Sequence, residues 1–482
     1  MKQALFVLLT AVTLTLFAAE NYQTGNFESC RQAAEQGLAE AQYNLGLYYT
    51  YGAGIVQNDA EAAKWYHKAA EQGYAEAQYH LGWCYYNGEG VTKDYVEAVK
   101  WTRKAAEQGY AEAQYNLGVC YANGQGISKD NAEAFKWFRK AAEQGNTTAQ
   151  LQLGMMYAAG IGIKEDQKLA FRWIHKAAEQ GKLEAQHYLA LIYESGGCGI
   201  TKNTEQMVYW LRKAAEAGYA ESQFKLGNLY LDGVGVPKDS AKGAQWTHKA
   251  AEQGYAEAQY NMAFLYGNGS GVSKDLKQAF NWLEKAAESG LAQAQLDLGI
   301  LYASDKKDLS SAFQWFHKAA EQGHPEAQFN LGAMYRHGDG VEKNFKEAVK
   351  WFRKAAKQGY AKAQFNLAIC YYNGEGVAKN VDEAVKWTRK AAEQGDAIAQ
   401  CNLGWHYAKG DGVAKDVTEA VKWYRKAAEQ GYAEAQYQLG MCYYKGEGVT
   451  KNVDEAFQWF RKAAEQGDLE AKKVLENFEQ QK

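Results

Sequence analysis

Residues 74 to 109 decide the fold: Tyr74-Ala75-Glu76-Ala77-Gln78-Tyr79-His80-Leu81-Gly82-Trp83-Cys84-Tyr85-Tyr86, then Gly88-Glu89-Gly90-Val91, then Asp94 through Gly109. Between Ala75 and Tyr86 glycine 82 is the one break, and Ala77, Leu81, Cys84 and Tyr85 recur at helical spacing, so one face is apolar. This stretch predicts a first helix, called A. Gly88-Glu89-Gly90-Val91 interrupts it as a loop. Asp94 with Glu97 three residues on has the capping-box spacing that opens a second helix, B. Helix B turns Ala98, Trp101 and Ala105 inward, and Gly109 ends it as a left-handed cap.

The unit repeats along the chain. Glu-Gln-Gly or a close variant closes at Gly37, Gly73, Gly109, Gly145, Gly181, Gly218, Gly254, Gly290, Gly323, Gly359, Gly395, Gly431 and Gly467. The spacing is 36 residues, apart from one gap of 37 and one of 33. The capping pair recurs as Asn58/Glu61, Asp130/Glu133, Asn344/Glu347, Asn380/Glu383, Asp416/Glu419 and Asn452/Glu455. One such hairpin cannot bury its own apolar faces, whereas stacked hairpins can, so the expectation is an all-α, α/α superhelical solenoid of about twelve 36-residue helix-turn-helix repeats. The two odd gaps fall on the A–B loop: Ser195-Gly196-Gly197-Cys198-Gly199 lengthens it and Ser304-Asp305-Lys306-Lys307 shortens it. Residues 38–467 then hold the twelve repeats. Residues 20–37 read as an N-terminal cap resembling a degraded helix B. Residues 468–482 read as a polar C-terminal capping helix with Ala471, Leu475 and Phe478 inward.

The consensus Ala-Glu-Ala-Gln-Tyr-Asn-Leu-Gly-x-x-Tyr-x-x-Gly-x-Gly-Val-x-Lys-Asp-x-x-Glu-Ala-x-Lys-Trp-x-Arg-Lys-Ala-Ala-Glu-Gln-Gly resembles the Sel-1-like repeat, a branch of the tetratricopeptide-repeat superfamily, from about residue 21 to the end. The resemblance implies an α/α superhelix used as a protein-interaction scaffold, often in the bacterial envelope or in host contact. Some exported, cysteine-rich members of the family are labelled β-lactamases or penicillin-binding proteins, so a β-lactam- or peptidoglycan-related activity is the alternative function.

Twelve of the fourteen tryptophans share one register of helix B, from Trp65 and Trp101 to Trp459, and such regularity marks core. Trp83 and Trp405 break it, both in helix A directly after its glycine. With the positions four before and three after, their register makes three columns on one face of helix A. Resemblance to tetratricopeptide repeats makes that face the lining of a concave groove. Its aromatic members are Tyr43, Tyr79, Trp83, Tyr86, Tyr115, Phe224, Tyr260, Phe264, Phe329, Phe365, Tyr372, Trp405, Tyr437 and Tyr444. Tyrosine and tryptophan dominate binding hot spots, so these residues either anchor a protein or peptide partner or pack between repeats. The superfamily's lysine–asparagine carboxylate clamp is not present at these columns. A second ladder on helix B, from His67 and Arg103 to Arg461, reads as a solvated, charge-balanced face.

Other chemistries find less support. The seven cysteines never occur two to a complete repeat, so the intra-repeat bridge of the cysteine-rich relatives is absent. Cys84 and Cys120 share a register in neighbouring units, as Cys370 and Cys442 do two units apart, too distant for a bridge. The nine histidines form no H-x-x-x-H pattern and the cysteines no C-x-x-C, so no metal site and no cofactor is expected. Ser304-Asp305-Lys306-Lys307 spells S-x-x-K, but S-D-N and K-T-G are missing, and no catalytic residue is assigned. The net charge of −3 is mixed along the chain without a basic block, which excludes a nucleic-acid binder. The start, Met1-Lys2-Gln3, the apolar run from Ala4 to Phe17 and then Ala18-Ala19-Glu20, reads as a signal peptide over residues 1–19, placing the protein in the periplasm or outside the cell. No later segment is apolar and long enough to span a bilayer.

Overall fold

The computed structural model describes residues 27–305 and 307–480, without the side chains of 478–480. The signal-peptide reading of 1–19 and the inward placing of Phe478 lie outside them. Among the described residues there are twenty-six α-helices and no strand. The helix of residues Phe27–Glu35 comes first, twelve A–B pairs follow from Ala39–Tyr51 to Val453–Glu465, and Leu469–Gln480 comes last. The fold is an all-α solenoid in which, within each unit, successive helices pack on one another. It divides into two compact units, 1–246 and 247–482.

In the first unit, the repeat that follows Tyr74 sets the pattern. Helix A runs Ala75–Asn87 and stops at Gly88, whose φ of 82° is left-handed. The N–H groups of Gly88 and Glu89 both bond the Cys84 carbonyl, at 2.8 and 3.0 Å, so the carbonyls left over at the helix end are satisfied. Helix B, Tyr95–Glu107, opens on Asp94, whose carboxylate accepts from the N–H groups of Val96 and Glu97 at 2.8 and 3.1 Å. The capping device recurs at Asn58, Asp130, Asn344, Asn380, Asp416 and Asn452. Only half of the expected reciprocal box forms. The Asp94 N–H bonds the Tyr85 carbonyl at 2.9 Å, which ties the loop back onto helix A, and Glu97 is left to pair with Lys100 at 2.8 Å.

Gly90 shows how tightly repeats stack. Its φ is 69°, and a Cβ there would land on the Asp59 carbonyl of the preceding helix B. The loop of one repeat thus lies on the start of helix B of the repeat before. Ala77, Leu81, Ala98, Trp101 and Ala105 are buried as the pattern requires. Helices 183–195 and 204–216 flank the lengthened loop intact, with Cys198 at φ 55°.

The second unit repeats the arrangement. Around the shortened loop, Ala292–Ser304 and Leu309–Glu321 keep full length. Its core is assembled repeat by repeat, as in the cluster of Ala348, Phe352, Ala355, Ala363, Leu367 and Cys370. Across both units the tryptophan register of helix B is buried or half-buried. A lysine three residues on covers the ring, with Lys104 Nζ 4.0 Å from the Trp101 centroid and Lys354 Nζ 3.8 Å from that of Trp351.

The histidine–arginine ladder has the expected part-exposed face lined with glutamates, as with His67 3.5 Å from Glu71 and Arg139 3.6 Å from Glu143, and it also meets rings of the next helices. His67 meets the Trp101 ring edge-on at 5.6 Å, and His317 meets Trp351 at 5.8 Å. Arg103 donates to the Tyr121 hydroxyl at 3.0 Å and Arg353 to Tyr371 at 3.1 Å. Long side chains with apolar stems cover neighbouring rings while their heads stay wet, so this ladder is part of the stacking contact between repeats.

Candidate binding groove

The three helix A columns separate by depth. The first lies mostly between repeats. Tyr43 has the rings of Tyr66, Tyr74 and His80 within 5.9 Å, and its hydroxyl is 3.2 Å from His80 Nε2. Tyr79 packs on Tyr110 and accepts from Asn116, Tyr115 packs on Phe138, Phe329 on Phe352 and Tyr360, and Tyr437 on Phe460. Tyr260 donates to Asp297 at 2.6 Å and meets Phe264 edge-on at 4.8 Å. Phe224 and Phe365 are half-buried.

The second and third columns reach solvent. Phe264 is 50% exposed, Trp405 36% and Tyr444 43%. The two exceptional tryptophans behave differently. Trp83 stacks on Tyr86 of its own helix at 6.3 Å and 19°. Tyr86 in turn donates to Gln125 in the next loop at 3.0 Å. Trp405 instead faces Tyr372 of the preceding repeat at 6.2 Å and 82°.

Around Trp405, within the second unit, the chain leaves a cavity of about 350 Å³, at the lower end of the range for ligand pockets. Phe365, Tyr372 and Trp405 line it, one residue from each predicted column and from two consecutive A helices, Ala361–Asn373 and Ala397–Lys409. The other predicted residues do not join them. Ala368, Ile369, Asn373, Ala384, Thr388, Asn402 and His406 complete the lining.

Thr388 contributes to the cavity. At its register in helix B, Phe316, Phe352, Tyr424 and Phe460 pack against the glycine of helix A, and Leu283 packs with Ala263. Thr388 is shorter than these and lines the cavity together with Ala368. Threonine also stands at this register at Thr102 and Thr247, so the sequence signal alone does not mark the cavity.

The polar edge is arranged by local bonds. Asn402 donates to the Ile398 carbonyl and Asn373 to Glu375, each at 2.9 Å. Both amides spend a donor on the protein and turn acceptor character outward. His406 Nδ1 is 2.9 Å from the Asp411 carbonyl, and burial holds its pKa below the ordinary value. Burial first, and then the nearby Asp411 carboxylate, raise the pKa of the Tyr372 hydroxyl.

The other chemistries can be located as well. Ser304 ends a helix and donates to Asp305 at 2.9 Å, so its hydroxyl is held by a carboxylate rather than activated by a base, and Lys306 lies outside the described residues. All seven cysteines are unbridged, five of them buried. Among the described residues no group of three or more His, Cys, Asp or Glu could hold a metal ion, and no helix is long and apolar enough to cross a membrane.

Comparison with known proteins places these features. The Sel1 repeat model matches twelve consecutive segments, 39–74, 75–110 and onward to 433–468. A protective antigen of uropathogenic Escherichia coli with an SLR fold is 38% identical, with a TM-score of 0.61, over 95% of this chain and 90% of its own. A Sel1 repeat protein from Oxalobacter formigenes is 34% identical, with a TM-score of 0.50, over 64% of this chain and 89% of its own. The comparison with curated proteins found no match.

Proposed function

Because the chain belongs to the Sel1-repeat family, related to the tetratricopeptide repeats, we propose that it is an exported interaction scaffold that takes a protein or peptide partner along the helix A face, anchored beside Trp405. The observation that carries this reading is the cavity in which Phe365, Tyr372 and Trp405 meet. A concave site in which aromatic rings stand beside convergent polar groups is a form binding sites take, and tryptophan is among the residues enriched as anchors. The Tyr43, Tyr79 and Tyr115 column serves the stacking of repeats, and Trp83 with Tyr86 offers a shallower aromatic surface on the other unit. The apolar run from Ala4 to Phe17 supports export. So does the likeness to a protective antigen, since an antigen that protects is one that antibodies reach.

Selection of a phage-displayed peptide library on the full chain, with binding measured for the enriched peptides, tests the groove. Enriched peptides should lose about ten-fold or more on Trp405→Ala, the size of loss a truncated hot spot gives. Peptides that bind Trp405→Ala as well as the wild type would remove this anchor.

A further inference from the structure

The rings at the cavity are set as walls rather than as a stack. Tyr372 and Trp405 meet at 82°, Trp405 and His406 at 79° with centroids 5.2 Å apart, and Tyr372 and His406 at 73° and 5.8 Å. Three mutually steep rings present π faces and edges to one corner, the geometry that surrounds a cation. No ring of this corner carries a fixed positive charge at neutral pH, since burial keeps His406 unprotonated. The polar neighbours add acceptors. Asn402 and Asn373 each give an N–H to the protein and keep carbonyl oxygen for a ligand. The Asp411 carboxylate lies near Tyr372 and, after burial, helps to raise the pKa of that hydroxyl. Among the described residues its one ion-pair-range contact is His406 Nδ1 at 3.9 Å, so this carboxylate has no lysine or arginine neutralising it. The neighbouring acid, Glu375, is by contrast taken by Arg336 at 3.0 Å. Lys379 Nζ lies 5.4 Å from the Tyr372 centroid, so a cation of the protein already approaches that ring and the indole of Trp405 is left as the open π face.

We infer that the cavity between Tyr372 and Trp405 selects a cationic side chain, arginine or lysine, of the peptide bound in the groove. The inference rests on the groove reading above and names the chemistry of its anchor. A guanidinium would lie against the indole, with its N–H groups directed to the Asn402 and Asn373 oxygens. An apolar side chain of equal length would fill the same volume but leave those acceptors unpaired.

The test uses the full chain and two fluorescein-labelled pentapeptides, Ala-Ala-Arg-Ala-Ala and its norleucine counterpart, with affinity read by anisotropy at 0.15 and 0.5 M NaCl. The arginine peptide should bind roughly three- to thirty-fold tighter, the range cation–π contacts supply. Most of that preference should survive high salt, which screens exposed charges. Trp405→Leu, which keeps an apolar side chain but removes the π face, should bring the ratio to about one, and Trp405→Phe should restore part of it. Circular dichroism melts of the variants separate lost binding from lost folding. Equal binding of the two peptides, or a ratio untouched by Trp405→Leu in a folded variant, would overturn the cation assignment while leaving the groove itself standing. No binding of the arginine peptide at millimolar concentration overturns it as well, and the library selection then judges the groove independently.

Discussion

Gln108 donates its side-chain amide to Gln78 Oε1 at 2.8 Å, and Gln78 in turn donates to the Ala70 carbonyl at 3.1 Å. The first glutamine comes from the Glu-Gln-Gly that ends helix B, the second is buried at the start of helix A, and the carbonyl belongs to the preceding helix B. The relay recurs at Gln72–Gln42, Gln144–Gln114, Gln394–Gln364, Gln430–Gln400 and Gln466–Gln436. It satisfies a helix-end carbonyl inside the stack and ties three successive helices together, so the two glutamine positions are fixed by buried hydrogen bonding rather than by helix propensity.

The relay breaks in two repeats. Gln150 Oε1 is buried without a partner although Gln180 stands at the serving position, and Gln186 Oε1 is buried without a partner where that position is Ala217. Ala217→Gln should therefore stabilise the protein by about 0.5–1.5 kcal/mol, and Gln394→Ala, which strips Gln364 of its donor, should cost about 1 kcal/mol. Urea unfolding midpoints of the two variants check this. No rise for Ala217→Gln would mean that the backbone there holds the amide out of reach.

Gly332 has no room for a methyl group. A Cβ would stand 2.7 Å from Phe352 ring atoms, and Phe352 is fully buried. Gly332→Ala should destabilise by about 1–3 kcal/mol, the usual cost of overpacking. Phe352→Leu in the same chain should recover part of it, because Ala263 and Leu283 already pack together at these registers in another repeat. Additive losses in a double-mutant cycle would contradict the direct clash.

Thr388→Leu should fill the cavity with a side chain that the facing alanine tolerates, since Ala263 opposite Leu283 is that combination. Thermal stability should hold within about 1 kcal/mol or improve, as cavity filling commonly does. Peptide binding should fall by about ten-fold or more if the cavity seats the anchor. Calorimetry and anisotropy on one preparation read both. Retained affinity in a stable variant would move the anchor elsewhere on the face.

His80 makes stability depend on pH. Burial against Tyr66, with which it stacks at 5.2 Å, pushes its pKa from 6.5 down to about 4. In the unfolded chain the imidazole regains its ordinary value, so between these two values the unfolded state holds more protons. The stability contribution is complete above about pH 6.5 and is lost as pH falls towards 4, up to about 3 kcal/mol at about 1.4 kcal/mol per unit. His80→Asn, which places here the residue found at Asn44 and Asn116, should flatten that part of the decline. Denaturation midpoints at pH 7 and 4.5 measure it, and parallel losses in both proteins would rule out His80 as the source.

The helix pairs, their lengths and both irregular loops were legible in the sequence, because a 36-residue period superimposes twelve copies of the same caps, glycines and apolar stripe. Each of those signals is local, acting within one turn or one hairpin. The groove was only partly legible. Spacing put Phe365, Tyr372 and Trp405 on one face, yet it also put Tyr43 and Tyr79 there, and these pack between repeats. What distinguishes them is what surrounds each ring: Tyr66 of its own repeat and Tyr74 and His80 of the next around Tyr43, but the short Thr388 of the preceding repeat at the cavity beside Trp405. The sequence by itself therefore determined the helices, the repeat and the face. Only tertiary structure decided which aromatics stay open to a ligand, because the volume left beside a side chain depends on residues from two other helices.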